Sequence, residues 1–598
     1  MAHDEQESID PVIIVGGGPI GLTCSILLSM RGVANTLYER HASTSIHPKA
    51  CGINQRTTEV FRVMGVEDEI YAHAAPAEIA GRTAWYTSLG NEGREVYSRD
   101  AWGGGQYEAE YATHSPSKYC ILPQIRLEPI LKRRAIELNS TGIRSYHEVL
   151  AVANQPDFTE VTVQNRETKE IIRRRARYVI IADGGRQFTD KLGISWEGDA
   201  NLTTMISAHI RAPIRPLHHD ARNFMTWFTN PAMGGSTRTG YLYQLGPWPE
   251  AVTDPKAEEW MFVCGITEDD PQTFNEETAL ARARKTIGIA DLEIELCSLT
   301  HWTVNAVYAS KWRADRCFLV GDSAHRIPPW GALGMNTGIQ DAQNLIWKLC
   351  YALQDHEKYN NLLNTYYIER SEVGKRVGQT SLQNMRSHAG NIDAAIGINT
   401  SQTTEENIAA ARSFFDPEQP GYARKRTLIE AASHELDTEF KAPGYEVGWF
   451  YPSADINSEG GATHGGQQLP DGTLVHHTYY SSTIPGHHLP HAWLERDGKT
   501  MAIRDLLSLD IFTLFVEAGN VLNICDDRVQ VIAIGSGGWS DMSGSWKQHR
   551  GVDATGGVLV RPDGIVAWRG ALAAGEQIGW THLLDTLLKV APSASSVA

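Results

Sequence analysis

The hydrophobic pattern changes period twice within the first forty residues. Val12, Ile13, Ile14 and Val15 make a short apolar run closed by Gly16, Gly17 and Gly18, the signature of a strand buried on both faces. A helix is expected from about Ile20 to Met30 and a second strand over Ala34–Glu39, giving a βαβ opening. Further on, Val60, Phe61 and Met64 lie on one side of a helix over Asn54–Met64. Another helix starts near Arg126 and aligns Leu127, Ile130, Leu131, Ala135 and Leu138, with Pro129 placed in its first turn. Thr159–Gln164, Tyr178–Ala182 and Arg316–Gly321 read as strands, and Asn336–Leu353 as a helix. Residues 200–310 alternate and carry Trp227, Phe228, Tyr241, Tyr243 and Trp248, which suits a sheet covering a cavity. Residues 358–442 are polar and helical in pattern. From about Gly444 glycine, histidine and proline become common, and strands return at Val529–Gly535 and in a hairpin over Gly557–Gly570.

Charge and cysteine content narrow the partners. With 54 Lys+Arg against 71 Asp+Glu the net charge is −17, which argues against nucleic acid and against an anionic membrane as the main partner. The stretch Pro11–Met30 has no charge over twenty residues, enough to cross a bilayer on length alone. Gly16, Gly17, Gly18 and Pro19 break it, so strand-turn-helix is the better reading. The 8 cysteines include no CxxC pair, which removes a zinc ribbon and a thioredoxin-type redox pair. Scattered thiols and an acidic N-terminus suggest a reducing, cytoplasmic setting.

Gly16, Gly18 and Gly21 form GxGxxG between a strand and a helix. That spacing lets the backbone turn tightly and approach a pyrophosphate. Glu39, 18 residues beyond Gly21, ends the second strand where a carboxylate accepts from a ribose hydroxyl, and Arg40 follows it. The segment Arg316–Leu349, RCFLVGDSAHRIPPWGALGMNTGIQDAQNLIWKL, is longer and more specific. It resembles the GD segment of the class A FAD-dependent aromatic hydroxylases, the family of phenol hydroxylase and 2,4-dichlorophenol 6-monooxygenase. The resemblance implies that Asp322 contacts the ribityl–phosphate part of FAD. It also implies that Pro329 lies near the carbon where oxygen adds, and that Gly334, Met335 and Asn336 open a helix facing the flavin pyrimidine. Reduced flavin carries negative charge there, which a helix start stabilises.

Three shorter segments extend the likeness. Asp183-Gly184 with Arg186 resembles the family's DG motif, with Gln187 where serine is usual. His47–Gly65 resembles the segment skirting the flavin on the substrate side, with Lys49 in place of arginine. Leu122–Leu131 matches the PQ segment, whose glutamine, here Gln124, is expected to reach FAD. Together they imply an α/β fold: a Rossmann-like FAD-binding domain (1–200 and 300–390) interleaved with a β-sheet substrate domain (200–300). A helical connector (390–450) and a thioredoxin-like C-terminal domain (450–598) follow.

The implied activity is hydroxylation of a phenolic ring with O2 and NAD(P)H, through a C4a-hydroperoxyflavin, with NADPH binding transiently because no second GxGxxG occurs. Tyr241, Tyr243 and His114 are candidates for assisting phenol deprotonation. Cys51 stands where relatives carry a carboxylate or histidine, and a structural thiol is the favoured reading. The histidines His464, His476, His477, His487, His488 and His491 match no common zinc spacing, and no metal is expected. Epoxidation, Baeyer–Villiger oxygenation, an oxidase or reductase, and a flavoprotein without catalysis remain open, as does a homodimer.

Overall fold

The computed structural model describes residues 9–268, 270–271, 273–451, 475, 477–519, 524, 526–573 and 579–590. Its first sheet is built around Ile9–Val15, which runs parallel to Ile171–Ile181 on one side and Asn35–Glu39 on the other. Cys317–Leu319 and Ile143–Ser145 extend it in parallel at either end. Helices Pro19–Met30, Gln124–Leu138 and Gly334–Gln354 share one core with this sheet. Covered in this way, Val12, Ile13 and Ile14 lose all exposed surface, and the strand is continuously apolar instead of alternating.

Two expectations from the sequence need correction. Helix Gln124–Leu138 begins two residues before Arg126, so Pro129 lies inside it, beyond the first turn, and removes one N–H from the ladder. The strand expected over Tyr178–Ala182 extends back to Ile171, because Ile171–Ala176 pairs antiparallel with Thr159–Asn165. Its arginine-rich start hides that extension in the sequence.

The second sheet has eight strands, with Glu295–Ala309, Trp196–Arg211, Glu259–Gly265, Gly240–Gly246 and Asn223–Phe228 in sequence across its middle. It also takes Arg82–Tyr86, parallel to Asn223–Phe228, and Glu95–Asp100. Both strands fall within residues 1–200, the stretch expected for the cofactor domain, yet they pair into the second sheet. Their pairing is long-range, and no local turn signal announces it.

A 41-residue helix, His356–Ile396, about 60 Å long at 1.5 Å per residue, joins the two halves. Its start buries Tyr366 in the core of the first sheet, and its end buries Ile392 and Ile396 in the core beside the second. The C-terminal sheet has the order Val529–Ile534, Phe512–Glu517, Gly556–Val560, Val566–Ala571, its first pair parallel and the others antiparallel, the arrangement of a thioredoxin-like domain. Its only cysteine, Cys525, lies outside the described residues, as do His464 and His476.

Buried ion pairs hold this domain against the helices. Glu369 accepts from Arg561 through both oxygens, at 2.8 and 2.9 Å, and from Lys348 at 2.8 Å. Arg62 forks onto Asp505 with two bonds of 2.8 Å, and Arg504 pairs with Glu59. Removing Glu369 leaves Lys348 buried without its ion-pair partner, while Arg561 keeps Asp563. Glu369→Ala should therefore cost about 3–5 kcal/mol, read as a lower urea midpoint. The two cations hold the Glu369 carboxyl down to about 2 from an ordinary 4.5, against its burial. Its contribution is then complete above pH 4.5 and disappears as the pH falls through about 2.

Candidate functional site

Backbone geometry shapes the mouth of the first sheet. Gly16 has φ +106°, and a Cβ there would stand 2.3 Å from the Ala182 carbonyl oxygen; one on Gly21 would stand 2.0 Å from the Gly16 oxygen. Both positions exclude any side chain. Gly18 differs: it caps helix Pro19–Met30 in extended conformation, and a Cβ on it would meet nothing within 4 Å. The strand end, turn and helix start thus leave open space where a pyrophosphate rests in a dinucleotide fold. The Glu39 carboxylate stands at this mouth, accepting from the Gly17 and His41 backbone N–H groups, each at 2.7 Å. Arg40 is tied through its carbonyl to Arg166 at 3.0 Å.

Two loops face each other beyond the strand ends. Asp183 accepts from Gly185 N (3.0 Å), Gln187 N (2.9 Å), Phe188 N (3.1 Å) and Ser323 Oγ (2.8 Å). It works as a clip between its own turn and the loop carrying Asp322. Arg186 projects from this turn and is exposed. Asp322 keeps accessible surface on its loop, with other groups crowding its carboxyl. Burial raises its carboxyl, opposed by His325, Arg326 and Lys49. Lys49 itself takes φ +52°. Gln124 reaches this loop through its backbone N–H, which donates to Ala50 O at 2.8 Å.

Asn336 locks the next turn. Its Oδ1 accepts from Asn54 N at 3.0 Å, and its Nδ2 donates to Gly52 O at 2.9 Å and Ala332 O at 2.6 Å. Asn54 is in turn the N-cap of helix Gln55–Val63, accepting from Thr57 N at 3.0 Å. The starts of two helices are therefore fixed to one another. Pro329, on the loop between them, is exposed, and Gly334 and Met335 are half-buried.

An aromatic chamber adjoins these loops. Tyr241 and Tyr243 point from one face of strand Gly240–Gly246, their ring centroids 6.2 Å apart, and Tyr241 lies 4.4 Å from Trp227. The Tyr243 hydroxyl donates to Lys49 O at 3.2 Å. Cys51, Tyr119, Tyr241 and Trp330 pack against the same core and remain partly accessible. Protein encloses Cys51, Tyr119 and Tyr241 all the same, and burial raises the pKa of each. Behind Trp227 stands His388, its centroid at 3.8 Å, held by Glu439 at 2.9 Å.

Two family models match the chain: an FAD binding domain over residues 10–381 and an aromatic-ring hydroxylase C-terminal domain over residues 482–590. The chain is an FAD-dependent aromatic-ring hydroxylase. It is 31% identical to phenol 2-monooxygenase of Pseudomonas sp. (strain EST1001), covering 93% of this chain and 89% of the relative. Identity to 2,4-dichlorophenol 6-monooxygenase of Delftia acidovorans is also 31%, over 93% and 94%. A putative polyketide hydroxylase of Streptomyces halstedii is 30% identical over 97% of both chains. Among solved structures, the flavin-dependent monooxygenase PieE, in complex with FAD and substrate, superposes with a TM-score of 0.87 at 28% identity, covering 97% of this chain and 99% of that one. No helix among the described residues is long and apolar enough to cross a membrane.

The hydroxylase brings Cys51, Tyr241 and Tyr243 together but places His114 elsewhere, edge-on to Tyr479 at 4.7 Å and beside Tyr111 at 5.8 Å. Burial lowers His114 to about 4 and pushes the Cys51 thiol up to about 12, so neither changes charge near neutrality. The sequence reading missed Tyr119, His388 and Glu439. Tyr119 lies just ahead of the segment Leu122–Leu131, and the other two lie in polar helical stretches without a motif. The open space at Gly18 gives a direct test. Gly18→Ala should leave the apoprotein's thermal midpoint unchanged and weaken FAD binding at least tenfold, measured by flavin fluorescence on titration.

Proposed function

We propose that this hydroxylase adds one oxygen atom to the ring of a phenol, using O2 and NAD(P)H. Bound FAD would take a hydride from the nicotinamide and activate O2. The glycine turn and Glu39 would hold its adenosine and pyrophosphate end, and Asp322 its ribityl chain. Pro329, Gly334, Met335 and Asn336 would line the flavin ring. The chain's remaining task is to orient the substrate ring, exclude water and handle the substrate's proton.

One observation carries the substrate class. Within the aromatic chamber the Tyr243 hydroxyl is committed to Lys49 O, whereas those of Tyr241 and Tyr119 have no hydrogen-bond partner among the described residues. Burial keeps both phenols protonated at neutral pH. A neutral ring bearing a hydroxyl would lie against Tyr241, which Trp227 backs, and satisfy those two groups. The named activities of the relatives on phenol, on dichlorophenol and on polyketides support a phenolic ring, single or fused.

Anaerobic stopped-flow reduction of the holoenzyme by NADPH, with and without a panel of phenols, tests this reading. Strong acceleration by a phenol, followed by an oxygenated product in air, is the expected result. Fast reduction regardless of phenol would point to an oxidase or reductase. Tyr241→Phe should keep its FAD and lower hydroxylation about a hundredfold, the size of a lost proton-handling group.

A further inference from the structure

Helix Gln55–Val63 buries its polar residues. Gln55, Arg56, Thr57, Thr58 and Glu59 are each 7% exposed or less, the reverse of a helix whose polar side faces water. At nine residues it is too short to be stable alone, so its position depends on what those side chains meet. Arg56 pairs with Glu59 and donates to Val447 O of the connector at 2.9 Å. Gln55 Nε2 donates to the Tyr111 and Ser117 carbonyls at 2.8 and 2.9 Å.

The C-terminal domain grips the same helix through two consecutive residues of its turn Ile503–Leu506. Arg504 pairs with Glu59, while its Nε donates to Leu489 O at 2.9 Å. The Arg504 and Glu59 side chains are 9% and 8% exposed, so salt screens the pair little. Asp505 accepts the Arg62 fork and, through Oδ2, the Ala502 N–H at 3.2 Å. Both residues are thus anchored in their own domain before they reach the helix. Eight residues before Arg62, about 12 Å along the axis, Asn54 caps this helix and its N–H donates to Asn336 Oδ1 at 3.0 Å. An ion pair, a short helix and a hydrogen bond therefore link the C-terminal domain to the turn carrying Asn336.

We propose that Arg504 and Asp505 are positioning residues: through them the C-terminal domain holds the start of helix Gly334–Gln354 in place and raises the tendency of bound FAD to accept electrons. The inference rests on the reading above that Gly334, Met335 and Asn336 line the flavin ring. N–H groups at a helix start stabilise the negative charge of reduced flavin, and that effect falls off within one turn. A small displacement of the first turn therefore weakens it. Two electrons reduce the flavin either way; only the equilibrium moves. The charges make this link separable from folding. Arg56, Arg62 and Arg504 alternate with Glu59, Glu67 and Asp505. Without Arg504, Glu59 keeps Arg56; without Asp505, Arg62 keeps Glu67. Neither loss strands a charge without a partner.

Redox titration of the holoenzyme against a dye of known potential reads the flavin equilibrium without any substrate. Arg504→Met and Asp505→Asn should keep their FAD and a native far-ultraviolet spectrum. In each the midpoint potential should fall, a loss of about tenfold in the reduction equilibrium or about 30 mV for a two-electron couple. The visible circular dichroism of the flavin should change with it, and Asp505→Glu should restore both. In an Asn54→Ala background Arg504→Met should add nothing, because the link is already cut. With Asn336→Ala shifted, native potential and dichroism in both C-terminal variants, or full additivity with Asn54→Ala, would overturn the link. Native values in Asn336→Ala itself would instead overturn the reading that this turn lines the flavin.

Discussion

The Asp341 carboxylate, with no exposed surface, ties the two halves of this hydroxylase together. It accepts from the Gly321 backbone N–H at 3.2 Å, pairs with His325 Nε2 at 2.8 Å and accepts from Arg370 Nε at 2.7 Å. Arg370 and His325 hold its carboxyl below the ordinary range in spite of burial. Such a charge is tolerable only with this full set of partners. The loop carrying Asp322, the helix opened by Asn336 and the long helix His356–Ile396 thereby take fixed relative positions. The long helix transmits that constraint to the second sheet, against which the substrate chamber is built.

No single domain owns the chamber. Cys51 and Tyr119 come from the interleaved cofactor segments, Tyr241 and Trp227 from the second sheet, His388 from the long helix and Glu439 from the connector. The C-terminal domain reaches this half through Arg504 and Asp505, which hold Glu59 and Arg62. These two lie on the helix whose N-cap, Asn54, is bonded to Asn336. A domain without a redox cysteine pair thus acts by steadying a helix that starts at the candidate flavin turn.

Much of this was legible in the sequence because the cofactor half is written in local signals. The apolar run with its glycines, and the ordered Asp, His, Pro and Asn of residues 322–336, each need only neighbours in the chain. The chamber is different. Tyr241 and Tyr243 showed in an alternating strand, but His114 drew attention by type alone and packs away from them. Arg82–Tyr86 joins the second sheet by a long-range parallel pairing, and His388 meets Glu439 from 51 residues away in the chain. Neither pairing leaves a trace in spacing or composition.

The most direct test of the account is turnover of a phenol under O2 labelled with heavy oxygen, with the product read by mass spectrometry. A monooxygenase acting on a ring held in this chamber gives a product carrying one labelled atom at a ring carbon, and the second labelled atom in water. A product with no label, or with two labelled atoms, would contradict the account.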